Sequence, residues 1–350
     1  MFRMNFDLNS IVRENVKAMQ PYASARDEYV SDGSKMTFLD ANENPFDNGV
    51  NRYPDPQQRS LKSVLAAQKG IKSSQLLLGN GSDEVLDLLF RAFCEPRKNN
   101  VITLPPTYGM YKVLCGVNAI ENKEVLLTDE FEPDLEAVMD KIDANSTLLF
   151  ICSPNNPSGN SISASKIETL LQQFSGLVII DEAYIDFSSQ PSWSKRLSEF
   201  PNLIITQTLS KAYGMAGIRL GICIASEEII TILNKIKPPY NVNELTQQKA
   251  LARVKNKDKV AGEIAAIVTE RSVLEQALKT VAFVNKIYAS DANFVLVKVD
   301  DASLRYNQLL SKGIVVRNRT TQPLCENTLR FTVGTPEENN QLITVLKSLS

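Results

Sequence analysis

The chain has 350 residues, too many for one compact core, so two domains are expected. Its 38 Lys+Arg against 40 Asp+Glu give a formal charge of -2, and 43% hydrophobic with 22% charged residues is ordinary globular composition; neither supports binding to nucleic acid or to an anionic membrane. Histidine is absent, which removes the Ser-His-Asp and Cys-His hydrolases and histidine-ligated metal enzymes and leaves acid–base work to Lys, Tyr, Asp, Glu or a cofactor.

Residues 1–35 read as an arm, with a short helix near Ser10 to Met19 stopped by Pro21 and a polar stretch behind it. The opening MFRMNFDLNS lacks the basic-then-apolar pattern of a signal, and apolar runs such as Leu148 to Cys152 fall far short of the roughly 20 residues of a membrane span, so a cytoplasmic protein is expected. From about residue 60 to 225, β-rich runs alternate with helical patterns, the mark of a mostly parallel α/β sheet. The expected strands are 101–104, 147–152, 177–180, 203–208 and 218–224, apolar throughout as strands covered on both faces should be. Residues 243–279 look helical, and 293–299, 313–317 and 328–333 read as strands of a smaller α+β domain that ends in a helix. The expected division is an arm at 1–35, a large domain at 45–245, and a small domain of 36–44 with 246–350. Five scattered cysteines (Cys94, Cys115, Cys152, Cys223, Cys325) show no C-x-x-C spacing and suit buried thiols rather than disulfides or a zinc site.

Open α/β sheets bind ligands beyond the carboxyl ends of their strands. Three consecutive expected strands each deliver polar groups there: SPNNPSG (153–159), DEAY (181–184) and SKAYGMAGIRLG (210–221). Singly these read as a turn, a helix cap and a solvated lysine. Together they offer a lysine amine at Lys211, a carboxylate at Asp181, polar donors at Asn156 and Tyr184, and a cation at Arg219, the parts that a pyridoxal-phosphate (PLP) enzyme needs. GNGSDEVLDLLFRAF (79–93) adds two glycines ahead of a helix whose apolar face is Val85, Leu88, Leu89, Ala92 and Phe93; its free amides suit a phosphate dianion, although a capped helix alone would also explain it. Tyr108, in PPTYGMY (105–111), is open to a role on the cofactor ring or in the core.

The succession SPNNPSG, DEAY, SKAYGMAGIRLG resembles the fold type I PLP-dependent aminotransferases. PYASAR (21–26), LDANENPF (39–46), NRYPDP (51–56), VVRNR (315–319) and LRFTVG (329–334) are similar to segments of the histidinol-phosphate aminotransferase branch, and the resemblance runs in order over nearly the whole chain. It implies a large, mostly parallel α/β/α domain with a smaller α+β domain.

The resemblance also implies roles. Lys211 would hold the cofactor as a Schiff base and then move the proton, Asp181 would pair with the pyridine nitrogen, and Asn156 and Tyr184 would bond the ring oxygen. Ser82, Asp83, Thr208, Ser210 and Arg219 would hold the cofactor phosphate, Tyr108 would stack on the ring, and Tyr53 would reach the cofactor of a neighbouring subunit in a homodimer. Tyr22, Asn44, Arg317 and Arg330 would bind substrate. Arginine forks match phosphate and carboxylate alike, so one site would take histidinol phosphate in one half-reaction and glutamate or 2-oxoglutarate in the other. On the same fold, an aromatic amino-acid aminotransferase and a threonine-phosphate decarboxylase remain open. A PLP-sensing regulator would need a fused DNA-binding module, and no basic helix-turn-helix is visible.

Overall fold

The arm takes its shape from where its backbone bonds go. In the computed structural model, which describes residues 6–21 and 36–349, two short helices, α1 (Leu8–Ile11) and α2 (Glu14–Ala18), replace the single helix expected over 10–19. They separate where the Arg13 N–H donates to the Ala92 carbonyl (3.0 Å), while the Arg13 guanidinium pairs with Glu95.

The alternation read from the sequence is present, with two strands added. α3 (Arg59–Lys69) leads to β1 (Leu76–Asn80), and α4 (Ser82–Phe93) to β2 (Asn100–Thr103). α5 (Met110–Val117), β3 (Glu121–Glu124), α6 (Leu135–Lys141), β4 (Ser146–Cys152), α7 (Ala164–Gln173), β5 (Leu177–Asp181), β6 (Leu203–Thr208), β7 (Leu220–Ile224) and α8 (Glu227–Ile236) follow. β3, of sequence ENKE, is an edge strand with no apolar pattern to announce it. The strand expected over 218–224 begins only at Leu220, because Ala216–Ile218 form a 3-10 turn and Arg219 takes the left-handed conformation (φ 57°).

The seven strands lie in the order β1-β7-β6-β5-β4-β2-β3. β3, β2, β4, β5 and β6 are mutually parallel, whereas β7 runs against both β6 and β1. Residues 209–219 are too few for the crossover helix of a parallel return, so the chain doubles back beside β6. Alternate strand residues feed two cores. Val178 and Ile180 pack with Leu65 of α3 and Leu170 of α7, while Leu177 and Ile179 pack with Leu89 of α4 and Ile229 of α8. Burial on both faces explains the unbroken apolar runs.

The region expected as one helical stretch over 243–279 is two helices, α9 (Glu244–Lys255) and α10 (Lys257–Leu278), separated at Asn256. β8 (Val284–Ile287), β9 (Phe294–Val299), α11 (Ala302–Ser311), β10 (Arg317–Asn318), β11 (Thr328–Thr332) and α12 (Pro336–Ser348) complete the chain. Their sheet, β10-β11-β9-β8, is antiparallel throughout. The strand expected over 313–317 shrinks to β10: Gly313 (φ 77°) serves the turn after α11, where the Ile314 N–H bonds the Leu309 carbonyl. Val295, Val297, Leu329 and Phe331 pack on α10 and α12 through Leu274, Leu278, Leu342 and Leu346. The other face turns to the larger sheet: Leu296 joins a core of that sheet, and Phe294 meets Tyr184 edge-on at 5.2 Å.

Candidate active site

Because β1, β2, β4, β5 and β6 run the same way, their C-terminal ends share one edge of the sheet, and residues far apart in sequence meet there. Asp181 is the last residue of β5 and only 3% exposed. Its Oδ2 accepts a hydrogen bond from the Tyr111 hydroxyl (2.7 Å), and its Oδ1 is buried without a partner. Burial pushes the Asp181 carboxyl up from its ordinary pKa, and the Tyr111 hydrogen bond opposes that rise. A carboxylate fixed through one oxygen, with the other open and shielded from water, calls for a donor in the cleft. A protonated pyridine nitrogen is such a donor, so this orphaned oxygen fits the expected cofactor.

Lys211 lies in the return loop after β6, its amine 5.8 Å from the centre of the Tyr184 ring. Its pKa is lowered, first by desolvation and then by Arg330 and Arg219, with Asp181 and Asp83 acting the other way. A larger neutral fraction makes the amine a better nucleophile and base near neutral pH. Tyr184 is itself buried, and burial raises its phenol pKa.

The cradle expected for the cofactor phosphate rests on two glycines. Gly81 caps α4 with φ 80°, and a Cβ there would stand 2.4 Å from Arg219 Nη2; a Cβ on Gly221 would stand 2.3 Å from the Ser82 nitrogen. Without these glycines Arg219 and β7 could not lie against the start of α4. Ser82 and Asp83 open that helix. Asp83 accepts from the Tyr108 hydroxyl (3.0 Å) and from Arg219 Nη2 (3.3 Å). The Ser210 N–H donates to Thr208 Oγ1 (3.1 Å), the two hydroxyls are 2.9 Å apart, and Thr208 Oγ1 also donates to the Leu220 carbonyl (3.1 Å), next to Arg219. Tyr108 meets Tyr111 edge to face at 5.6 Å and is half-buried at the rim.

In the loop after β4 the Ser153-Pro154 and Asn156-Pro157 bonds are cis. Asn155, not singled out from the sequence, ties this loop to the one after β2: its Nδ2 donates to the Pro106 carbonyl (2.9 Å) and to Ser158 Oγ (2.7 Å). Asn156 Oδ1 accepts from Arg330 Nη1 (2.5 Å), which joins the two sheets across the cleft. Arg330 also lies over the Phe294 ring (4.9 Å). Arg317 faces Arg330 in the β10–β11 register and is exposed.

Two expected residues, Tyr53 and Asn44, stand apart from this cluster. Tyr53 is half-exposed and stacks on Tyr240 (4.5 Å between centroids), in a groove it lines with Val50 and Leu245. Asn44 is exposed and uses its Oδ1 to accept from the Phe46 N–H within its own turn (2.9 Å). Tyr22 lies outside the described residues. The residues that sequence reading passed over are Tyr111, Asn155 and Arg319. All three sit within the motifs PPTYGMY, SPNNPSG and VVRNR, but a buried aromatic, a turn asparagine and an arginine beside a strand carry no sign of what they bond.

Residues 32–346 match the family Aminotransferase class I and II. A protein of Flavobacterium johnsoniae named histidinol-phosphate aminotransferase is 64% identical over 346 residues, 99% of each chain. The crystal structure of the histidinol-phosphate aminotransferase from Clostridium acetobutylicum superposes with a TM-score of 0.79 at 25% identity, covering 86% of this chain and 91% of that one. The Sinorhizobium meliloti enzyme of the same name, in complex with pyridoxal-5'-phosphate, shares the fold with a TM-score of 0.78 at 24% identity, over 85% and 84% of the two chains. A family match over nearly the whole length, on the sheet edge where lysine, carboxylate and anion cradle converge, places this chain among the class I and II aminotransferases.

Proposed function

We propose that this enzyme is a PLP-dependent histidinol-phosphate aminotransferase, passing the amino group of glutamate to imidazole acetol phosphate to give 2-oxoglutarate and histidinol phosphate. The observation that carries the chemistry is the open, buried Oδ1 of Asp181 on the same sheet edge as the Lys211 amine and the cradle of α4 and Arg219. The substrate rests on full-length similarity to the Flavobacterium johnsoniae enzyme, at 64% identity. When bound, the cofactor supplies a carbonyl that accepts the amino group and a ring that spreads the negative charge left at the substrate's Cα.

The protein's part is binding and proton handling. Asp181 keeps a proton on the ring nitrogen through Oδ1, and Lys211 Nζ takes the proton from Cα and returns it. Asn156 and Tyr184 hold the ring oxygen by hydrogen bonds, and Tyr108 covers a ring face. The Ser82 and Asp83 amides, Thr208, Ser210 and Arg219 receive the cofactor's phosphate. Arg330 and Arg317 receive the acidic end of either amine, and Tyr22 and Asn44 are further substrate-binding residues. The division into an arm (1–35), a large part (45–245) and a small part (36–44 with 246–350) remains our proposal, supported by the separate apolar core of the second sheet.

We also assign a homodimer. Leu39 (88% exposed) and Phe46 (80%) stand out from the segment before α3, and Val50, Tyr53 and Leu245 line one groove beside them. Apolar exposure of this kind favours burial against a second copy, which would bring Tyr53 toward the partner's cofactor.

The test is optical. The purified enzyme should be yellow, lose its cofactor band on addition of histidinol phosphate and regain it with 2-oxoglutarate; Lys211→Ala should show no such cycle. A response to phenylalanine or to threonine phosphate, with none to histidinol phosphate, would leave the fold standing and overturn the substrate.

A further inference from the structure

Arg319 lies one residue beyond β10, and its N–H continues the strand ladder by donating to the Thr328 carbonyl (2.9 Å). Strand alternation puts Arg317 and Arg319 on one face of β10, and the register sets Arg317 opposite Arg330 on β11. The neighbouring β11 residues Leu329 and Phe331 point the other way, into the core of the smaller sheet. Three guanidinium-bearing side chains therefore share the face that looks toward Asn156 and Tyr184. Both Arg319 and Arg330 sense the Tyr184 phenol electrostatically.

No salt bridge joins Arg317, Arg319 or Arg330 to a carboxylate among the described residues. The Nε of Arg319, the Nε of Arg330 and the hydroxyl of Thr320 are all buried without hydrogen-bond partners. Burial lowers the pKa of Arg319, with Arg330 and Arg317 adding to the effect. Buried donors without acceptors are costly, and like charges held together need a counter-charge. A carboxylate brings one charge and two oxygens, which a single arginine fork satisfies; a phosphate monoester brings nearly two charges and three terminal oxygens.

We infer that Arg319 is a specificity-determining residue that binds the second charge of the substrate's phosphate group, while the carboxylate that takes the phosphate's place when the amino donor binds is held without it. This rests on the functional reading above and adds to it the residue by which one site separates a doubly charged phosphate group from a singly charged carboxylate group. Arg317 and Arg330 serve both ligands; Arg319 serves the phosphate alone.

The experiment uses the intact holoenzyme and its Arg319→Gln and Arg319→Lys variants, after thermal melts show that all three are folded. Half-reaction kinetics would give kcat/KM separately for histidinol phosphate and glutamate, and calorimetric titration would give the dissociation constants of inorganic phosphate and acetate. For Arg319→Gln, loss of one charge-assisted contact predicts a fall of about 30-fold for histidinol phosphate and less than about threefold for glutamate, with phosphate binding weakened about tenfold and acetate binding unmoved. Arg319→Lys should recover part of the phosphate affinity, since it keeps the charge and loses the fork. Equal falls in both half-reactions with phosphate affinity unchanged would make Arg319 structural and overturn the inference. Should the wild type fail to turn over histidinol phosphate, the functional reading falls, while the phosphate titration still decides the role of Arg319.

Discussion

Tyr111→Phe removes one atom from beneath the proposed reaction centre. The phenol is fully buried, stacks on Phe150 (4.8 Å) and donates to Asp181 Oδ2 at 2.7 Å. Phenylalanine keeps the stacking, so the change isolates the hydrogen bond. A hydrogen bond to a charged group contributes about 1.5–3 kcal/mol net, equivalent to about 1–2 pKa units on its acceptor. Asp181 already lies above its ordinary value because it is buried, and losing this donor drives it higher. A carboxyl that is more often neutral grips a ring N–H less tightly and keeps its proton in place less well. Cofactor affinity should therefore fall about 10- to 100-fold, and kcat should fall more than KM rises. Titration of the cofactor-free protein with PLP, followed by absorbance, gives the first number; half-reaction kinetics give the second. The same substitution in an Asp181→Asn background should have almost no further effect, because an amide carries no charge for Tyr111 to stabilise. Equal losses in both backgrounds would show that Tyr111 acts through packing, and the reasoning would be wrong.

Lys62 is 6% exposed and its pKa is pushed down to about 8, first by burial and then by Lys237. Between about 8 and the free-lysine value of 10.5 the unfolded chain holds more protons than the folded one, so this group makes stability rise with pH across that window. Lys62→Met should raise unfolding stability at pH 7 by up to about 3 kcal/mol, with the advantage fading as the pH approaches 10.5; denaturant midpoints at pH 7 and 10 check it. In sedimentation equilibrium the wild-type mass should be twice that of the chain, and Phe46→Asp with Leu39→Asp should halve it, since two buried charges oppose an apolar contact. A monomeric wild type would remove the second copy from the proposed site.

The cofactor motifs were legible because each one ends a strand in sequence. SPNNPSG, DEAY and SKAYG follow apolar runs that the structure builds as β4, β5 and β6, which are neighbours in the sheet. Composition alone, with no histidine, confined the acid–base chemistry to a short set of residue types. Apolar periodicity also located α4 and its buried face, since burial and the 3.6-residue repeat are the same fact seen from two sides.

Other features had no local signature. The reversal of β7 follows from a connection too short to cross over, and the left-handed Arg219 offers its carbonyl to the Gly81 N–H (2.9 Å), a partner far away in sequence. Tyr111 and Arg319 reach their places through neighbours far away in sequence: one meets a carboxylate from β5, the other joins a cationic face made only when β10 pairs with β11. A sequence specifies which side chains can ionise, bond or pack, because those are properties of the residue and its near neighbours along the chain. Which oxygen of Asp181 stays open, and which arginines remain without a counter-charge, depends on contacts between distant segments; only the folded chain brings those together.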